Sequence, residues 1–194
     1  MRNANGRPAI APAAATPAAS VPKMPPPLSL FRAFPLHKRP ASDWHAHPRN
    51  FGTTRSSGRK HAGSDLYAPK GTQVLAVADG RIIGFGRFTV IKDFPELVGA
   101  IEVEHDGGWI SRYCEVGRML AGALKVGSSV KAGEAIGEIG HLMHTLPIPS
   151  DMLHFELYGG WETGTLSRIG VGEFHRRADL LDPTSYLDAC APPP

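Results

Sequence analysis

The chain has 194 residues, enough for one good-sized domain plus extensions, and 42% of them are hydrophobic, enough for a real core. A formal net charge of +3 suits an anionic partner but is too small to argue for nucleic acid, and no nucleic-acid motif accompanies it. No apolar run reaches membrane-spanning length.

In chain order, residues 1–28 are rich in Ala and Pro (APAAATPAAS, then PKMPPPL) and bury too little apolar surface to offset their ordering entropy. They read as a disordered tail. Arg2 and Arg7 supply positive charge, but no continuous apolar stretch follows, so a secretory signal is not read. Residues 29–57 turn aromatic and basic, with Trp44, His45, His47, Arg49, Phe51 and Arg55 close together. This segment is expected to wrap the edge of the domain and border a cleft. Arg49 and Arg55 are placed there as partners for substrate carboxylates, which arginine grips in a bidentate manner. His45 and His47 form an H-x-H pair, but no acidic or Cys-rich partner set accompanies them, and they are read as non-ligands.

The main domain is expected over 58–190, followed by a disordered tail at 191–194. Its opening stretch, GRKHAGSDLYAPKG, spaces His61 and Asp65 by three residues. Gly63 and the Ala68-Pro69-Lys70-Gly71 turn argue against a helix, so the pair is placed on a loop entering a strand. QVLAVA and RIIGFG flank Asp79-Gly80, the sequence of a two-residue hairpin turn. FTVIKDF, AIEVEHD and GWISRYCEV continue the strands, with Gly107-Gly108 as the next turn. Alternation in the last of these puts Tyr113 and Glu115 on one face and Cys114 on the other. His105, at a strand end, is read as structural. VGSSVKAGEAIGEIG is strand-like scaffold, and His141 and His144 sit on the loop after it.

MLHFELY alternates again. Leu153, Phe155 and Leu157 face a core, while Met152, His154 and Glu156 share the opposite face. Imidazole, carboxylate, imidazole is a ligand set suited to Zn²⁺ with a position left for water. On spacing alone, a buried structural histidine and a surface His/Asp pair is an equally good reading. A short helix is expected after Asp182-Pro183. Cys114 and Cys190 are the only cysteines, too few and too differently placed for a disulfide framework.

Taken together, GRKHAGSDLYAPKGTQVLAVADGRIIGFG, KVGSSVKAGEAIGEIG, MLHFELY and DPTSYL resemble the lysostaphin/LytM-type zinc metallopeptidases, from about Gly58 to about Leu187. The resemblance implies an all-β fold, an antiparallel sheet or flattened barrel-sandwich with the metal in a cleft. It implies zinc held by His61, Asp65 and His154, and peptidoglycan as the partner, cut at an amide bond of a stem peptide or cross-link. The chain departs from the family twice. Glu115 stands where a histidine of Tyr-x-His is usual, and Met152 where the first histidine of His-x-His is usual. Glu115 is a sensible general base, with Tyr113 and the nearby arginines as substrate contacts. His141 or His144 could supply the imidazole that Met152 lacks, and Asn50 could cap the metal from upstream. The alternative is a catalytically degenerate module that binds peptidoglycan or activates an amidase. Action in the periplasm or at the cell wall, without a signal peptide, implies non-classical export, as for a secreted antibacterial effector or a lysin. A secretion apparatus or an immunity protein would then be a further partner.

Overall fold

The computed structural model describes residues 25–55, 58–89, 98–119, 124–141 and 151–193. Nine strands form one antiparallel sheet: β1 (Ser64–Tyr67), β2 (Gln73–Leu75), β3 (Gly80–Thr89), β4 (Val98–His105), β5 (Ile110–Met119), β6 (Ser129–Val130), β7 (Ala135–Ile139), β8 (Met152–Tyr158) and β9 (Leu180–Leu181). The main path runs β1-β8-β5-β4-β3-β6, with β2 on β7, β7 on β5 and β9 on β8. A six-residue helix, α1 (Thr184–Ala189), follows Pro183 as expected. The all-β expectation is met.

β5 is the organising strand. Its Ile110–Cys114 half pairs with β8, and its Val116–Met119 half pairs with β7 along the same edge. The change of partner falls at Glu115, whose φ is 67°, and the register against β4 shifts at the same level, Cys114 facing Ala100 and Val116 facing Gly99. This is a β-bulge: two residues oppose one, and the strand bends. The joint is tight. Glu115 O accepts from Gly140 N at 2.8 Å, and a Cβ on Gly117 would stand 2.4 Å from Gly140 Cα. Only glycine at both positions lets the strands approach this closely.

The core lies on one face of the sheet. Leu66, Leu153, Phe155, Leu157, Tyr113, Ile101 and Val103 pack there. The segment 29–57 is part of this core and not an addition to it. Phe31 stacks on Trp109 and meets Phe155 edge-on, and Phe34, Leu36 and Trp44 are buried. Leu75 N donates to Pro35 O, which knits this segment to β2. The boundary expected at 57/58 is therefore not a structural division. Most of the expected N-terminal tail lies outside the described residues, but Pro26 O accepts the Tyr186 hydroxyl at 2.6 Å, so the last residues before 28 are tied to α1. At the other end Ala191 O accepts from Phe34 N.

The Asp79-Gly80 hairpin does not form. β2 pairs with β7, and β3 pairs with β4 and β6. The Asp79 carboxylate accepts from Ala132 N at 3.0 Å and Lys131 Nζ at 2.9 Å, so it fastens the corner to the following strand instead of closing a two-residue turn. Gly107-Gly108 do make the β4–β5 turn, both with positive φ.

His105 is structural, locked at the end of β4. Its Nδ1 is 2.9 Å from Asp79 O and its Nε2 is 2.7 Å from the Ser111 hydroxyl. A carbonyl only accepts, so Nδ1 carries the proton and Nε2 accepts from Ser111. The Tyr113 hydroxyl, 3.1 Å from Ser111, then donates to Ser111 and accepts from Val77 N at 2.8 Å. Burial pushes the His105 pKa down to about 4. The unfolded chain, with an ordinary histidine pKa, binds a proton first as pH falls. The contribution of neutral His105 is therefore complete above pH ~6.5 and is lost between ~6.5 and ~4. Urea unfolding from pH 7.5 to 4.5 should show a loss of a few kcal/mol, order of magnitude only, and the His105→Gln variant should lose about that much less over the same range. Parallel profiles would refute the assignment.

Candidate metal centre

The sheet register brings the expected ligands together. Asp65 on β1 and Cys114 on β5 both pair with His154 on β8, so all three side chains lie on the face opposite the core. His61 approaches on the loop before β1. His61 Nε2 is 2.9 Å from Asp65 Oδ1 and 3.0 Å from His154 Nδ1, and His154 Nδ1 is 2.8 Å from Asp65 Oδ1. The three atoms make a nearly equilateral triangle in a buried setting.

Gly63 explains the closeness of the His61 loop. A Cβ there would fall 2.2 Å from Phe155 O and 3.1 Å from the His154 ring. Any other residue would push His61 away from β8.

The far side of each ring is engaged. His61 Nδ1 faces the Asn50 carbonyl at 2.9 Å, which can only accept, so the proton sits on Nδ1 and Nε2 offers a lone pair. His154 Nε2 faces Glu156 Oε1 at 3.0 Å, so in the neutral ring its Nδ1 offers a lone pair. With both rings neutral, two lone pairs and a carboxylate oxygen point at one another. Such a set calls for a cation. Ligand atoms around tetrahedral zinc stand about 3.3 Å apart, so the triangle need open by only a few tenths of an ångström. The residues fit zinc. The same set also attracts a proton. Burial opposes charge on His154, yet Asp65 and Glu156 raise its pKa to about 9. A metal ion entering here displaces that proton.

Glu156 is fully buried and holds four partners. Arg176 reaches Oε1 at 2.7 Å, and Arg112 and the Tyr158 hydroxyl reach Oε2 at 3.3 and 2.5 Å, beside the His154 contact. Burial alone would favour the neutral acid, but the His154 hydrogen bond and the two guanidiniums hold its pKa well below the usual range. Arg55 Nη2 donates to Asp65 Oδ2 at 2.8 Å, leaving Oδ1 to the triangle. Burial opposes the Asp65 anion, and its hydrogen bonds with His154 and His61 more than offset this, so its pKa lies well below the ordinary carboxylate range.

The bulge decides what β5 contributes. Strand alternation would send Glu115 into the core with Tyr113. The left-handed turn at Glu115 instead returns it to the metal side, where the charges of His154, Asp65, Arg55 and Asp151 act on it. Burial raises its pKa to about 8. Tyr113 goes the other way. It is fully buried against Phe155, its hydroxyl committed to Val77 and Ser111, so the expected substrate contact at Tyr113 is corrected to a core role. Cys114 is buried on the site face, and its thiol is held well above its ordinary pKa by desolvation, which leaves it without nucleophilic character.

The remaining candidates separate cleanly. Arg49 stacks over Tyr67 and donates to Asp43 O at 2.7 Å, beside the site. The Asn50 side chain turns to Thr53 and to Phe51 O, so Asn50 serves the site through its carbonyl and does not cap it. His45 bridges Asp43 and Asp188, away from the ligands. His141 bonds Asp151 at 2.7 Å, next to the Glu115–Gly140 joint. His144 lies outside the described residues. The sequence reading gave no role to Glu156, Arg112, Arg176 or Tyr158. The signal for Glu156 was available, because alternation in MLHFELY already placed it beside His154.

A model of peptidase family M23 matches residues 59–165. The chain belongs to that family. That family includes zinc peptidoglycan hydrolases, and its members are typically zinc-dependent. The cell division protein DipM of Caulobacter vibrioides is 30% identical over 103 residues, 53% of this chain and 15% of that protein. An uncharacterized metalloprotease of Buchnera aphidicola is 25% identical over 129 residues, 66% of this chain and 31% of that protein. The chain thus spans under a third of the length of either relative, at 15% and 31%. The catalytic domain of the antimicrobial peptidase lysostaphin from Staphylococcus simulans superposes with a TM-score of 0.51 at 22% identity, covering 72% of this chain and 89% of that one, and shares the fold. Among the described residues, no helix is long and apolar enough to cross a membrane.

Partners that fix a ligating histidine from behind typically matter 10–100-fold in metal affinity. Glu156→Gln should therefore weaken zinc binding by about 10–100-fold in competition with a chromophoric chelator, with the fold retained by circular dichroism. Unchanged affinity would show that the Glu156–His154 contact does not set the tautomer.

Proposed function

We propose that the protein is a zinc-dependent peptidoglycan endopeptidase that hydrolyses amide bonds of stem peptides or cross-links, acting at the cell wall or in the periplasm. The observation that carries this reading is the buried triangle formed by His61 Nε2, Asp65 Oδ1 and His154 Nδ1. Zinc bound there would supply a Lewis acid for the amide carbonyl and a water acidic enough to attack at neutral pH.

The chain's own groups do the rest. Glu115, on the metal side through its bulge, takes the proton of the attacking water and passes it to the leaving amine. Glu156, through His154, and Asn50, through His61, keep both imidazoles facing inward. Arg55 orients the Asp65 carboxylate. Arg49 and Arg55, on the segment before β1, are proposed as contacts for the substrate's acidic groups. Burial of the ligands limits bulk water and strengthens the field of these fixed charges.

A second reading, a silent peptidoglycan-binding or amidase-activating module, draws on Met152. This thioether is buried beside His154 and has no acid–base chemistry.

Purified sacculi digested with zinc-loaded protein, with products identified by mass spectrometry, separate the two. The hydrolase reading expects new amide cleavage, abolished with metal binding in His154→Ala. In Glu115→Gln it expects cleavage reduced about 10²–10⁴-fold with zinc retained. Intact sacculi alongside bound zinc would favour the silent module. Glu115 acts as the anion, and burial disfavours the anion, so kcat/KM should fall as pH drops through its folded pKa. A dication held by His61, Asp65 and His154 would favour the Glu115 anion and so set that acid limb at or below pH 8. The limb should vanish from the residual rate of Glu115→Gln, and its persistence there would assign the base elsewhere.

A further inference from the structure

The rim of the metal centre carries more guanidinium than its carboxylates use. Arg55 is committed to Asp65 and Arg176 to Glu156. Arg112 is committed to Glu156 and Ser167 and stands 3.2 Å from Glu102. Arg59 is different. It is half-buried, and its guanidinium has no ion pair or hydrogen bond among the described residues.

Its position is fixed by backbone. Arg55 N donates to Arg59 O at 2.8 Å and Gly58 N to Arg55 O at 2.8 Å, so the backbone of Arg59 is held beside that of Arg55. Lys60 N donates to Glu173 O at 2.8 Å, and Phe51 stacks on Phe174, which bind that turn to the segment carrying Arg176. Arg59 thus joins the charge cluster of Arg55, Arg176, Asp65 and Glu156. Both neighbours are cations, and burial and their repulsion act together against the Arg59 charge, which a guanidinium nevertheless keeps. A metal dication would add to the excess. A partly desolvated cation among cations, with no described protein acceptor for its five donors, is poised to take an anion.

We propose that Arg59, flanked by Arg55 and Arg176, forms a carboxylate subsite beside the metal centre that takes a free carboxylate of the substrate's peptide stem. This rests on the metallopeptidase reading of the site and adds a substrate class to it: anionic stems in place of neutral or amidated ones. Planar carboxylate matches the arginine fork in a bidentate manner. Because the contact is remote from the reacting amide, it serves binding and register.

The test reads binding without turnover. Zinc-loaded protein carrying Glu115→Gln is titrated calorimetrically with a synthetic stem tetrapeptide bearing free carboxylates, and with the same peptide fully amidated. The free acid should bind about 10–100-fold more tightly, as expected for hydrogen bonds to a charged group. Adding Arg59→Gln should erase the preference, and Arg59→Lys should keep part of it, since lysine retains the charge without the fork. Equal affinities in the parent protein, no binding of either peptide, or a preference that survives Arg59→Gln would overturn the subsite. Failure of the hydrolase reading looks different: the carboxylate preference would stand while zinc-loaded protein with Glu115 intact leaves sacculi uncut.

Discussion

Three lone-pair donors directed at one point within a sheet constrain the rest of this structure. His61 Nε2, Asp65 Oδ1 and His154 Nδ1 repel one another unless a metal ion or a proton lies between them. Holding them there requires opposition from behind at every ligand. Asn50 O fixes His61, Glu156 fixes His154, and Arg55 takes the second oxygen of Asp65. Glu156 in turn is stabilised as an anion by Arg176 and Arg112, so the metal centre is the inner layer of a charge network two residues deep. A buried carboxylate with fewer partners would take a proton and lose its hold on the imidazole.

The second constraint is the joint in β5. A strand with two partners along one edge must bend where they meet, and the bend is placed at a single residue, Glu115. The geometric need for a bulge and the chemical need for a carboxylate on the metal side are met at the same position. Gly117 and Gly140 permit the crossing, and the Gly140–Glu115 hydrogen bond ties the joint to the start of the loop bearing His141. Bulges often re-aim a side chain beside an active site, and here that side chain is the proposed base.

The segment before the first strand has a larger part than an edge cover. Its aromatic residues complete the core, while Asn50 and Arg55 reach the ligands directly and Arg49 packs over Tyr67 on the same face. One stretch therefore couples core packing to ligand orientation. Arg59, just after it, adds positive charge beside the candidate site.

Much of this was legible in one dimension. Period-2 alternation in MLHFELY separates the core residues Leu153, Phe155 and Leu157 from the ligand His154, because a strand has only two faces. The glycines at 107 and 108 mark a real turn, and His61, Asp65 and His154 stand out by chemistry and by motif. What alternation misjudged was Tyr113 and Glu115. A bulge adds one residue to the count, and nothing local in RYCEV announces it, since the bend arises from β7 and β8 competing for one edge of β5. The Asp79-Gly80 turn failed for a similar reason: the Asp79 carboxylate finds Lys131 and Ala132, partners some fifty residues away. The sequence by itself determined which residues have the chemistry to hold a metal and which face of β8 they occupy, since both follow from side-chain type and strand period. The tertiary structure alone decided which tautomer each histidine takes, which side Glu115 serves and that, among the described residues, Arg55, Arg112 and Arg176 meet carboxylates while Arg59 does not, because each depends on groups that only long-range pairing brings within hydrogen-bonding distance.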